Sequence, residues 1–294
     1  MDWLHAVTNL NVWHQGGVRA VHKPLLVLML IARAGQRLDA RLPFREAAGP
    51  LQQYLREFGP KRRTYHPEMP FWHLQSDGFW VIENAAKLPA RLGSKSPTKR
   101  TLIEQNATGA IPEPLWSQLV EDARLREDLT RRILDEFWPD TYHASIREAV
   151  GLPQTEVITR RRRDPRFRED VIRAYESKCA VCGYGGRLGN NLLGIEAAHI
   201  RWHCESGPDE PRNGLALCAL HHVALDRGAI GISEDNRILV SQEVSGGEEA
   251  SRLLVDHSLK PLAKPQADEF LPKPEFTAWH RTEVFKAPAR LSRP

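Results

Sequence analysis

The sequence predicts an α+β chain of two domains: a mainly helical first half over residues 1–150, and a unit of short strands and helix around a metal clip over residues 165–294. Three observations carry that expectation. The chain has 294 residues, long enough for two cores of the common size of roughly 100–150 residues. Apolar residues in the first half recur mostly at helical rather than alternating spacing. All four cysteines fall between Cys179 and Cys218, and a Cys-x-x-Cys pair among them favours metal binding over a disulfide framework.

Taken in order, Arg19 to Arg33 reads as a buried helix, and Pro24 fits only in its first turn, where a missing N–H breaks no bond. Phe44 to Phe58 predicts a second helix. Gly59 to Pro70, with three prolines and Lys61-Arg62-Arg63, predicts an exposed irregular loop. Phe71 to Ile82 predicts a hairpin turned near Ser76-Asp77-Gly78. Lys95 to Arg100 reads as a second basic loop, and Pro112 to Phe137 carries helical periodicity. Residues 151–164, with Arg160-Arg161-Arg162-Arg163, read as a basic linker before a helix from Pro165 to Ser177. The proline-rich tail from Lys260 carries Phe276, Trp279 and Phe285, which predict an arm packed on another surface such as a second subunit.

Composition excludes some classes. At 41% hydrophobic and 27% charged the chain has enough apolar residues to fold, which excludes wholesale disorder. The longest apolar run, Leu25 to Ala32, falls well short of the roughly 20 residues a membrane span requires. The N-terminus lacks a basic segment followed by an apolar stretch, so a soluble cytoplasmic protein is expected. A net charge of +4 suits a polyanionic partner without identifying one.

The strongest pattern is Cys179-x-x-Cys182 followed by Cys218-Ala219-Leu220-His221. Two pairs of thiolate and imidazole ligands, each presented from a turn, close a tetrahedral zinc site, and four protein ligands leave no position open for chemistry. The expected zinc is therefore structural. Cys204 competes for the fourth position, but His221 keeps the two-residue spacing of the first pair.

Between these pairs lie Glu196-Ala197-Ala198-His199-Ile200 and Asn213-Gly214-Leu215-Ala216-Leu217-Cys218, ending in His221-His222. From about Tyr175 to Gly231 the sequence resembles the HNH, or ββα-metal, endonuclease family. The resemblance implies that His199 is the general base, that His222 binds a catalytic divalent ion, and that Asn213 holds the geometry. The chemistry agrees. Phosphodiester hydrolysis needs a base working near neutral pH, as imidazole does, and a hard cation such as Mg²⁺ or Mn²⁺ to offset developing charge. Many family members have an aspartate directly before the first histidine, where this chain has Ala198. Glu196 shares the face of residue 198 in an extended strand and is the expected substitute ligand.

In the first half, Arg19 with His22-Lys23-Pro24-Leu25-Leu26, and Tyr65-His66-Pro67-Glu68-Met69-Pro70-Phe71-Trp72, resemble the sulfur-binding domain of type IV restriction endonucleases that recognise phosphorothioated DNA. The resemblance implies a pocket on Arg19, His66, Pro67 and Pro70, with Lys61, Arg62, Arg63, Lys95, Lys99 and Arg100 available to phosphates or base edges. Sulfur is larger and less strongly hydrated than oxygen, and an apolar pocket disfavours the oxygen that loses its water there. The expected partner is double-stranded DNA, cut by a homodimer. The alternatives are an HNH nuclease directed at methylated or other DNA, and a non-catalytic zinc-containing DNA-binding protein.

Overall fold

The computed structural model describes residues 3–15, 18–91, 93, 96–154 and 165–290, and divides into two units, Met1–Thr155 and Glu156–Pro294. The first unit runs through α1 (Trp3–Thr8), β1 (His14–Gln15), β2 (Val18–Arg19), α2 (His22–Gly35), β3 (Arg41–Pro43), α3 (Phe44–Phe58), α4 (Glu68–His73), β4 (Val81–Ile82), α5 (Lys99–Glu104), β5 (Thr108–Ala110), α6 (Glu113–Glu121), α7 (Ala123–Phe137) and α8 (Asp140–Val150).

Apolar residues line almost the whole of α2, with Leu25, Leu26, Leu28 and Ile31 fully buried. A helix without a broad polar face must be enclosed, and α3, α4, α6 and α7 pack around it. Arg19 lies in β2, so α2 starts at His22 and holds Pro24 in its first turn, where proline belongs. The small antiparallel sheet has the order β3-β5-β4. At its centre a side chain on Gly109 would meet the Trp80 ring at 1.9 Å, and the Trp80 indole donates to the Phe71 carbonyl at 2.8 Å.

Two sequence expectations change here, and a third holds with a break inside it. Phe71 to Ile82 is not a hairpin: α4 runs into a 3-10 turn over Leu74–Asp77, and only Val81–Ile82 is strand, paired with β5. The buried side chains Phe71 and Leu74 stand three apart, a helical spacing, and Gly78 at φ 81° ends the turn instead of joining two strands. Lys99 and Arg100 open α5, where the Thr98 hydroxyl caps the Thr101 amide. The stretch 112–137 is two helices, broken at Asp122, whose carboxylate accepts from the Arg124 and Leu125 amides and starts α7.

The second unit contains α9 (Pro165–Ala174), β6 (Arg187–Leu188), β7 (Asn191–Leu192), β8 (Ile195–His199), β9 (Gly214–Cys218), α10 (Ala219–Asp226), β10 (Ile230–Ile232), β11 (Ile238–Val240), α11 (Glu248–Leu253) and α12 (Pro274–Glu283). Strands β8 and β9 form an antiparallel ribbon in register from Ile195 opposite Cys218 to His199 opposite Gly214. Helix α9 lies across it, with Phe167 and Val171 where a Gly214 side chain would be. Helix α10 follows β9 directly.

The tail is not an arm reaching elsewhere. Helix α12 packs against β10, Phe276 and Phe285 are buried within the unit, and Trp279 stacks edge-on against Trp202 at 5.7 Å. The apolar surface of β10 required a cover, and the tail supplies it. Lys95, Arg160, Arg161, Arg162 and Arg163 lie outside the described residues. Among the described residues, no helix is long and apolar enough to cross a membrane.

Candidate functional site

Cys179 and Cys182 flank a tight turn in which the Gly183 amide donates to the Cys179 carbonyl at 2.8 Å and Gly183 takes φ 73°. Cys218 ends β9 and His221 stands in the first turn of α10. The three sulfurs and a His221 ring nitrogen all lie within 4.8 Å of one another. Tetrahedral zinc with Zn–S near 2.3 Å holds its ligand atoms roughly 3.8 Å apart, so the cluster has the size and donor chemistry such an ion requires. His221 turns Nδ1 toward Cys218 Sγ, 3.1 Å away, and Nε2 toward the Leu253 carbonyl at 3.0 Å. A carbonyl only accepts, so Nε2 carries the hydrogen and Nδ1 faces the sulfurs. Cys204 sits in the 3-10 turn His203–Glu205, outside this group.

One residue beyond His221 on α10, His222 faces two carboxylates: Glu196 Oε2 is 2.6 Å from Nδ1, and Asp226 Oδ2 is 3.4 Å from Nε2. His222 and Asp226 are buried, whereas Glu196 is 43% exposed and so able to turn aside. Two ionised carboxylates on one imidazole are satisfied together by an imidazolium, or by a neutral ring in which a cation replaces one proton. Imidazole nitrogen with carboxylate oxygen is a donor set that Mn²⁺ or Mg²⁺ accepts. Asp226 on Nε2 leaves Nδ1 and Glu196 as the pair suited to such an ion.

His199 ends β8. Its Nε2 donates to Asp209 Oδ1 at 2.7 Å, and its ring stacks on Phe167 with centroids 4.2 Å apart and planes 14° apart. Asn213 is fully buried. Its side-chain oxygen accepts from the Arg201 amide at 2.9 Å, and its NH₂ donates to the carbonyls of Arg201 and Pro208, both at 3.0 Å. These bonds close the connection between β8 and β9 upon itself. Asp209, Asp226 and Phe167 were not among the sequence candidates. Asp226 follows His222 at the i,i+4 helical spacing and could have been found, but Phe167 and Asp209 meet His199 only through the tertiary fold.

In the first unit, the Arg19 guanidinium is 2.6 Å from Glu136 and stacks over Phe137 at 4.6 Å. His66 is exposed, with Nδ1 2.9 Å from Glu68 and Nε2 2.9 Å from the Thr64 hydroxyl. Pro67 and Pro70 are buried at the start of α4, and the apolar side chain exposed beside them is Met69, at 41%. His22, at the head of α2, has its pKa pushed down to about 4, first by burial and then by the positive charge of Arg62 and His66. In the same loop Arg62 and Arg63 are exposed and Lys61 is half-buried. Lys99 donates to Gln52 at 2.7 Å and Arg100 pairs with Glu104 at 2.6 Å.

Residues 1–155 match the family described as ScoMcrA-like, DNA sulfur-binding domain, and residues 179–233 match the HNH endonuclease family. Among solved structures, the sulfur binding domain of ScoMcrA complexed with phosphorothioated DNA is 19% identical, with 52% of this chain and 96% of that one covered at a TM-score of 0.47. The corresponding domain of SprMcrA with phosphorothioated DNA is 19% identical, covering 51% and 93% at 0.45. The type IV phosphorothioation-dependent restriction endonuclease ScoMcrA is 19% identical over 52% of this chain at 0.44, and the match spans 28% of that longer protein. No curated protein matches the sequence.

Proposed function

Because the chain belongs to the ScoMcrA-like, DNA sulfur-binding domain family, we propose that it is a modification-dependent restriction endonuclease that binds phosphorothioated double-stranded DNA through residues 1–155 and hydrolyses phosphodiester bonds nearby with its HNH domain. The observation that carries this reading is the union in one chain of the sulfur-binding family match with an HNH match spanning His199, Asn213 and His222.

On the DNA-reading side, His66, Met69, Pro67 and Pro70 form the wall against sulfur. Arg19 exchanges its partly exposed Glu136 partner for the phosphorothioate charge, while Lys61, Arg62, Arg63, Lys95, Lys99 and Arg100 supply phosphate and base-edge contacts. In the nuclease, Cys179, Cys182, Cys218 and His221 hold a structural zinc that joins the turn after α9 to the head of α10. His222 and Glu196 would hold Mg²⁺ or Mn²⁺, which would supply positive charge to offset that on the phosphate oxygens. His199 removes the proton from the attacking water. Two copies acting on one duplex, as a homodimer in the cytoplasm, cut both strands.

Matched supercoiled plasmids, one phosphorothioated and one not, incubated with the full-length protein and Mn²⁺ or Mg²⁺, test the reading. The modified plasmid is expected to be nicked or linearised and the unmodified one spared. His199→Ala is expected to abolish cleavage with zinc content unchanged, and Arg19→Ala to weaken binding of modified DNA toward that of unmodified DNA. Equal binding and cleavage of both plasmids refutes sulfur dependence.

A further inference from the structure

The connection between β8 and β9 leaves His199 at one end and returns to Gly214, its partner across the ribbon. Its path is tightly fixed. A Cβ on Gly207 would lie 1.9 Å from the Arg201 carbonyl oxygen, so the returning chain packs directly on the outgoing one. Asn213 ties both arms together, bonding Arg201 on the outgoing arm and, on the returning arm, the carbonyl of the peptide joining Pro208 to Asp209. The next side chain along, Asp209, reaches His199 at 2.7 Å. Phe167 stacks flat on the same ring and blocks its rotation out of that bond.

We propose that Asp209 is the positioning residue of the nuclease: its carboxylate fixes the tautomer and orientation of His199, and Asn213 acts on His199 by holding Asp209 in place. A carboxylate accepting from Nε2–H puts the neutral ring's proton on Nε2 and its lone pair on Nδ1, the atom that must take the proton from water. When that proton arrives the ring becomes an imidazolium, and the Asp209 carboxylate, 2.7 Å from Nε2, faces the new charge. The carboxylate is 25% exposed against 7% for the histidine. The ring is thus held among protein atoms while its carboxylate partner reaches the surface. The proposal rests on the HNH reading of His199.

The test uses the full chain, Mn²⁺ and phosphorothioated plasmid, with zinc content and DNA affinity measured for each variant. Asp209→Asn is expected to lower kcat about 100-fold with DNA affinity and zinc unchanged, and Asp209→Glu to recover part of the loss. Asn213→Ser is expected to slow the reaction as well, and the double variant to be no slower than the slower single one, because both act along one path. Wild-type turnover by Asp209→Asn, with His199→Ala inactive, overturns the role of Asp209 and leaves the nuclease reading standing. Activity in His199→Ala overturns both. A loss in Asp209→Asn matched by lost zinc or weakened DNA binding assigns Asp209 to the scaffold and overturns the proposal.

Discussion

Gly214 shows how tightly individual residues around His199 are fitted. It lies opposite His199 in the ribbon, and a Cβ there would approach Val171 Cγ2 to 2.3 Å and the Phe167 ring to 3.0 Å. Gly214→Ala is therefore expected to destabilise the second unit by about 1–3 kcal/mol through overpacking, and to slow cleavage by displacing the ring that stacks on His199. Urea unfolding and single-turnover nicking measure the two effects, and an alanine variant with wild-type stability and rate contradicts this account. The motif Asn213-Gly214-Leu215-Ala216-Leu217-Cys218 was visible in the sequence, and so were the three residues that the HNH resemblance selects. The steric demand on Gly214 was not, because it comes from α9, far away in the chain. Asp209 was hidden for another reason: a hydrogen bond across a folded-back loop leaves no periodic trace.

At the level of elements, helices with apolar faces were legible and the connections between them were not. Helix α3 begins and ends where its apolar spacing predicts, because its buried residues Phe44, Ala47, Ala48, Leu51 and Leu55 follow the helical period. The segment after α4 misled because Ser76-Asp77-Gly78 has the composition of a hairpin turn. Its polar side chains have another use: Lys23, buried in the first turn of α2, lies 2.6 Å from Asp77 and 3.0 Å from the Ser76 hydroxyl. Asp77 also accepts from the Asn11 amide at 2.6 Å. The 3-10 turn is thus a clamp joining α2 to the segment before β1. Removing one partner of a buried pair strands the other charge, so Asp77→Ala is expected to cost roughly 3–5 kcal/mol. Lys23→Met combined with Asp77→Asn is expected to recover part of it, since the amide oxygen still serves Asn11. A loss below about 1 kcal/mol in denaturant unfolding of Asp77→Ala contradicts the clamp.

Each unit of the molecule carries a histidine whose pKa burial lowers, His280 wholly enclosed and His22 half-buried, and both weaken the fold in acid. His280, wholly enclosed on α12, donates from Nε2 to the Leu225 carbonyl at 2.9 Å, while its Nδ1 is buried without a partner. Burial pushes its pKa down to about 4, and His22 in the first unit is likewise near 4. Both folded values lie below the ordinary 6.5 of an exposed imidazole, so the unfolded chain binds protons first as the pH falls. The stabilisation is therefore complete above pH 6.5 and is lost as the pH drops from there through about 4. By pH 5 the loss is about 2 kcal/mol for each histidine. Unfolding followed by urea at pH 7 and pH 5 is expected to show both units weakened at pH 5. His280→Gln is expected to remove the share of the pH dependence that belongs to the second unit, whatever it does to stability at pH 7. A zinc chelator at pH 7 acts on a different part of the same unit: it is expected to lower the second unit's transition and leave that of the first in place, because the Cys₃His cluster lies wholly in residues 179–221. Equal unfolding free energies at pH 7 and pH 5 contradict the neutral burial of these rings, and a chelator that leaves the second unit's transition unmoved contradicts a structural zinc at the Cys₃His cluster.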